Sequence, residues 1–232
     1  MILVHHTDQD HRTGNFRSPT VRHDRAMDDL RDPKTALHHY LQEARDALVW
    51  KVEGVGERDL RLPRTPTGTN LLGILRHVAN VEIGYFGPTF GREWPQPDHP
   101  LVVTDEDYDA DPQADWWVPA EVSATEAVDF YRQVAAFSDT TIADLPLDAV
   151  GAVPWWPEER RQVSLARIIV HVISDTTRHA GHADILREGI DGAAGLKVAS
   201  TNLPDVDWPA YVARLTRVAD EFPVQGEVDG TK

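Results

Sequence analysis

The segment HVISDTTRHAGHADILREG places His171, Asp175, His179 and His182 at successive spacings of four, four and three residues. On an α-helix each residue turns by about 100°, so these four form one narrow polar stripe. Ile168, Val172, Ile185 and Leu186 fall near the same side, which makes the stripe part of an inward-facing surface. Polar groups buried without partners cost kilocalories each, and a divalent cation satisfies several at once. An Asp-x-x-x-His pair offers two ligands to one ion, and a third from a facing helix leaves a position for water or substrate. His77, set in the apolar run LLGILRHVANVEIGYF, is the natural third ligand beside Asp175 and His179. Plainer roles fit the same residues: a hydrogen-bonded core histidine, or an Asp–His ion pair four apart on a helix. Spacing alone leaves these open.

The elements that must carry these residues are helical. Asp32 caps and Pro33 opens a first helix in which Leu37, Tyr40, Leu41, Ala44, Leu48 and Val52 recur at helical spacing before Gly54 and Gly56. A second runs from Thr69 or Asn70 to just before Gly87–Pro88 and holds His77. Ser123 with Glu126 forms a capping box for a third, which turns Ala127, Phe130, Tyr131, Val134 and Phe137 inward. After an irregular stretch, VGAVPWWPEERRQV, Ser164 caps a fourth helix carrying the histidine stripe, with Gly189 as its stop. A last helix spans Asp207 to about Glu221 and packs outside the others. Residues 1–30 read as a loosely docked arm, and 31–225 as one helical-bundle domain.

The crossover at 87–122 is long for a compact domain, rich in Pro and Asp, and holds Trp94, Trp116 and Trp117. Such a loop is more often functional than filler. Trp116 with Trp117, and Trp155 with Trp156, line a substrate mouth or close a bundle end; the second is the commoner use. Glu82 is a candidate acceptor for a ligand imidazole, Arg76 and Arg178 are expected in ion pairs, and Arg160 and Arg161 can recognise a carboxylate. Arg187 and Glu188 read as surface or dimer-contact residues.

Composition narrows the chemistry. The 232 residues include no cysteine, which excludes disulfides, thiolate metal sites and cysteine nucleophiles. Any thiol must come from outside. A formal charge of −15 with no dense basic stripe argues against nucleic acid as a partner. No apolar run reaches the length of a membrane span, and the polar start after MILV is unlike a secretory signal, so a cytoplasmic protein is expected. There is no GxSxG, Walker loop or dinucleotide-type glycine pattern.

LLGILRHVANVEIGYFG followed far downstream by HVISDTTRHAGHADILREGIDG resembles the DinB-like superfamily of metal-binding four-helix bundles, in an actinobacterial branch related to mycothiol-dependent enzymes. The likeness spans roughly residues 35–192. It implies an all-α, up-down-down-up bundle, here with an additional C-terminal helix and long crossover loops, often dimeric. It implies a divalent metal such as zinc or nickel on His77, Asp175 and His179. Relatives usually place Glu or His where this chain has Asp175; should that shorter side chain not reach, His182 and then His171 are the substitutes. The function so implied is transfer or isomerisation of a small electrophile with a low-molecular-weight thiol such as mycothiol. A hydrolase using bound hydroxide and a metal-free binding protein are its rivals.

Overall fold

The computed structural model describes residues 30–197 and 200–222. Apart from Leu30, the N-terminal arm expected at 1–30 lies outside them, as do 223–225.

Four long helices form the body: α1 (Pro33–Val52), α3 (Leu71–Phe86), α5 (Ala124–Asp144) and α6 (Leu165–Asp191). Each begins where a side chain satisfies a free amide of the first turn. Asp32 accepts from the Thr35 amide, Asn70 from Gly73, Ser123 from Glu126 and Ser164 from Arg167. The Ser123–Glu126 box is reciprocal. Such caps are worth about 1 kcal/mol apiece, and they fix where the helices start. The fourth body helix passes through Gly189 and ends two residues later, because Gly192 takes the left-handed conformation (φ 77°) that closes a helix.

Two buried clusters give the helix directions. One end joins Leu41, Phe86, Ile142 and Leu165; the other joins Val52, Leu71, Ala127 and Ala183. The start of α1 therefore meets the ends of α3 and α5 and the start of α6, an up-down-down-up bundle. Helix α6 packs between α1 and α3, and α5 lies on the far side of α3. His77 and the Asp175–His179 pair thus come from adjacent antiparallel helices.

Shorter elements decorate this frame. One turn, α2 (Glu57–Arg61), buries Leu60 and carries no pattern long enough to read from sequence. The long crossover folds through a 3-10 turn at Pro88–Phe90, α4 (Asp105–Ala110) and a 3-10 turn at Ala114–Trp116. Arg76 pins it: its guanidinium donates to the carbonyls of Pro100, Leu101, Ala114 and Trp117, so it is buried rather than in a surface ion pair. The stretch before α6 is an antiparallel hairpin of β1 (Val150–Ala152) and β2 (Gln162–Ser164), not irregular chain.

Three further expectations need correction. Arg187 is buried; it donates to the carbonyls of Trp50, Lys51 and Glu53 at the end of α1 and pairs with Asp191. Ile185 is 72% exposed, on the outer face of α6. The last helix, α7 (Trp208–Ala219), is capped by Asp207 as expected, yet every residue from 201 to 222 is exposed, so it does not pack on the bundle. Among the described residues no helix is long and apolar enough to cross a membrane.

Candidate metal centre

The groove between α3 and α6 brings His77, Asp175 and His179 together, with one nitrogen or carboxylate oxygen of each lying within 4.8 Å of the others. His77 Nε2 is 4.0 Å from Asp175 Oδ2, and His179 Nε2 is 3.6 Å from Asp175 Oδ1. These gaps exceed hydrogen-bond length. Asp175 Oδ2 and His179 Nδ1 are buried without a hydrogen-bond partner among the described residues.

The long crossover supplies the rest of the site. Asp115, buried in the second 3-10 turn, lies 2.6 Å from His77 Nδ1, and Tyr108 of α4 donates to the same oxygen at 2.9 Å. Burial pushes the Asp115 carboxyl up, but the hydrogen bond and charge of His77 outweigh it and hold it below the usual carboxylate range. A carboxylate only accepts, so the proton of that bond belongs to His77 Nδ1. In the neutral ring Nε2 then presents a lone pair toward Asp175. Asp175 is likewise held low: burial raises it, and His179, His77 and His171 together lower it further. His77, Asp175 and His179 thus present two imidazoles and a carboxylate to one small space. That donor set fits a divalent cation, which would also answer the unpartnered Asp175 Oδ2.

Trp116 stacks on the His77 ring at 4.2 Å and meets His179 edge-on at 5.3 Å. It reaches this place because α3 carries no side chain at Gly73, where the Trp116 carbonyl lies against the helix and accepts from Asn70 Nδ2. Of the paired tryptophans, Trp116 therefore belongs to the site, while Trp117 is half-exposed beside Arg76.

The proposed substitutes stand apart. His182 is exposed, its ring 5.5 Å from that of His179, and is not among the three converging residues. His171 hydrogen-bonds Tyr85 Oη at 3.0 Å. Glu82 does not serve a ligand imidazole; it is fully buried against Arg45 and Tyr131. Asp115 and Tyr108 escaped sequence reasoning, since 38 residues separate Asp115 from His77 and no periodicity links them.

The model of the family described as mycothiol-S-transferase matches residues 36–192, which include every residue of this site. The chain belongs to the mycothiol-S-transferase family. That family lies in the DinB-like superfamily, in agreement with the all-α bundle. A solved structure described as a conserved protein of a locus from Enterococcus faecalis is 15% identical, with a TM-score of 0.47, covering 69% of this chain and 98% of that one. Comparison with curated proteins gave no match.

Proposed function

We propose that this member of the mycothiol-S-transferase family joins the sulfur of mycothiol to a small electrophile at a divalent cation held by His77, Asp175 and His179. The observation that carries the reading is the convergence of His77, Asp175 and His179 within 4.8 Å, with Asp175 Oδ2 buried and unpartnered among the described residues. A divalent cation, zinc or nickel, would lower the pKa of a thiol brought to it into the neutral range.

The chain's own residues do the positioning. Asp115 and Tyr108 hold the His77 ring in one tautomer and orientation, and Trp116 covers one face of that ring against water. The Asp175 side of the groove is partly open and gives a route of entry. Lacking cysteine, the chain takes its nucleophile from the thiol substrate, whose sulfur forms the new bond to carbon as the leaving group departs.

The test is metal content and thiol consumption together. Purified protein, His77→Ala and His179→Ala would be assayed for bound zinc and nickel, then for loss of mycothiol with 1-chloro-2,4-dinitrobenzene, where sulfur replaces chloride. Wild type is expected to carry metal and consume thiol, and both variants to lose the two properties. Metal-replete wild type that consumes no mycothiol above the uncatalysed rate ends the transferase reading.

A further inference from the structure

Toward the start of α6 the groove runs into a second, differently built cluster. Trp156 Nε1 donates to Tyr85 Oη at 3.2 Å, so the Tyr85 hydroxyl proton is free to go to His171 Nε2, 3.0 Å away. This chain of bonds fixes the indole of Trp156. Trp155 meets Tyr85 edge-on and lies over Gly84, where any Cβ would come within 2.8 Å of its ring; it stays 54% exposed. A tryptophan that is seated this closely and still faces solvent is a preformed aromatic wall.

Beside it, Trp156, Pro157, Arg160 and Arg167 line a hollow of about 150 Å³. The Arg167 guanidinium is held 5.1 Å over the Trp156 ring. Among the described residues neither Arg160 nor Arg167 forms an ion pair or a side-chain hydrogen bond, although the chain carries a net −15. Its neighbour Arg161 is engaged with Glu158. Two exposed arginines without an ion pair thus line one hollow next to an indole, on a chain with an excess of carboxylates elsewhere.

We infer that the Trp156–Arg160–Arg167 hollow, with Trp155 as its outer wall, is a subsite for the carboxylate of an aromatic acid. The guanidinium forks match a carboxylate, and the indoles take the ring that bears it. Arg167 and Asp175 are eight residues apart on one helix, a rise of about 12 Å, so the hollow and the candidate metal centre lie about that far apart along α6. The inference deepens the transferase reading, on which it rests for the bound acid being the electrophile; binding itself is independent of that reading.

The experiment measures binding of 2-naphthoate and of neutral 2-naphthamide to the full chain by tryptophan fluorescence, without thiol. Wild type is expected to hold the acid at least tenfold more tightly than the amide. Arg160→Gln/Arg167→Gln should erase that preference with an unchanged circular-dichroism spectrum, while Arg58→Gln, an exposed charge on α2, keeps it. Equal binding of acid and amide by wild type, or a preference that survives the double variant, overturns the subsite. Acid-selective binding by metal-replete protein that consumes no mycothiol with 1-chloro-2,4-dinitrobenzene leaves the subsite standing and removes the transferase reading alone.

Discussion

Asp115 Oδ2 lies 2.6 Å from His77 Nδ1, and this one contact decides which nitrogen of His77 faces the groove. The carboxylate stays ionised because His77 more than offsets the cost of burying it. Nδ1 therefore carries a proton, and Nε2 is the nitrogen left to bind an ion on the side of Asp175 and His179. A carboxylate behind a ligand imidazole both orients the ring and raises its basicity.

Replacing Asp115 by Asn keeps the shape of that contact but removes its charge. The introduced carboxamide can also present its NH2 to Nδ1, which moves the ring proton to the nitrogen that should bind. Asp115→Asn is expected to weaken zinc affinity by roughly tenfold or more, with little change in thermal stability. Competition against a chromogenic chelator measures it. Unaltered affinity would mean that Asp115 only packs the crossover.

Two glycines of α3 should answer oppositely to alanine. At Gly73 a Cβ would fall 2.0 Å from the Trp116 backbone oxygen, which cannot yield without moving the whole 3-10 turn. Gly73→Ala is expected to cost about 2 kcal/mol by overpacking and to weaken zinc binding, since Trp116 and Asp115 move with that turn. At Gly84 the obstacle is the outer edge of a half-exposed tryptophan ring. Gly84→Ala should fold at least as stably as wild type, because the gain in helix propensity is up to about 1 kcal/mol, and should shift the Trp155 emission. Thermal melts and fluorescence of the two variants check both signs.

The contrast between the two glycines also shows what sequence could and could not reveal. Caps and apolar periodicity are local signals, so the starts of α1, α3, α5 and α6, and the ends of all but α5, were legible to within two residues. That His77, Asp175 and His179 come together was legible as well, because a stripe of imidazoles on an apolar helix and a lone histidine in another have few partners to choose among. Asp115 carries no such signal: its place depends on Arg76 and Asn70 binding carbonyls of a 36-residue crossover. Glu82 misled for the converse reason. Close in sequence to His77 but not at an aligned helical spacing, it is claimed instead by a buried arginine on α1.

That arginine, Arg45, forms a two-point pair with Glu82 in the bundle interior and a further bond to Asp139 at 2.7 Å. Removing one side leaves an ion buried without its partner, which typically costs about 3–5 kcal/mol. Glu82→Ala should show that loss in urea unfolding. Arg45→Met/Glu82→Met replaces both charges by apolar volume and is expected to recover most of it, with the half-buried Asp139 still held by His38 and Gln42. A double variant as unstable as the single one would show that the pair supplies net stability.

Tyr131 closes the same network, donating to Glu82 Oε1 at 3.1 Å from a fully buried position. Burial pushes its phenol well above the ordinary value of 10, with the Glu82 charge adding to it. In the unfolded chain Tyr131 loses its proton near pH 10, whereas in the folded chain it keeps it. The folded state then binds one more proton than the unfolded state, and stability falls as pH rises. The contribution is fully present below pH 10 and declines above it by about 1.4 kcal/mol per pH unit for this one group. Tyr131→Phe should cost about 1 kcal/mol at neutral pH through the lost hydrogen bond. It should also make the decline between pH 10 and 11 shallower by that one-proton slope. Urea titrations of both proteins at pH 7, 10 and 11 measure it; parallel declines would show that Tyr131 ionises in the folded protein as readily as in the unfolded chain.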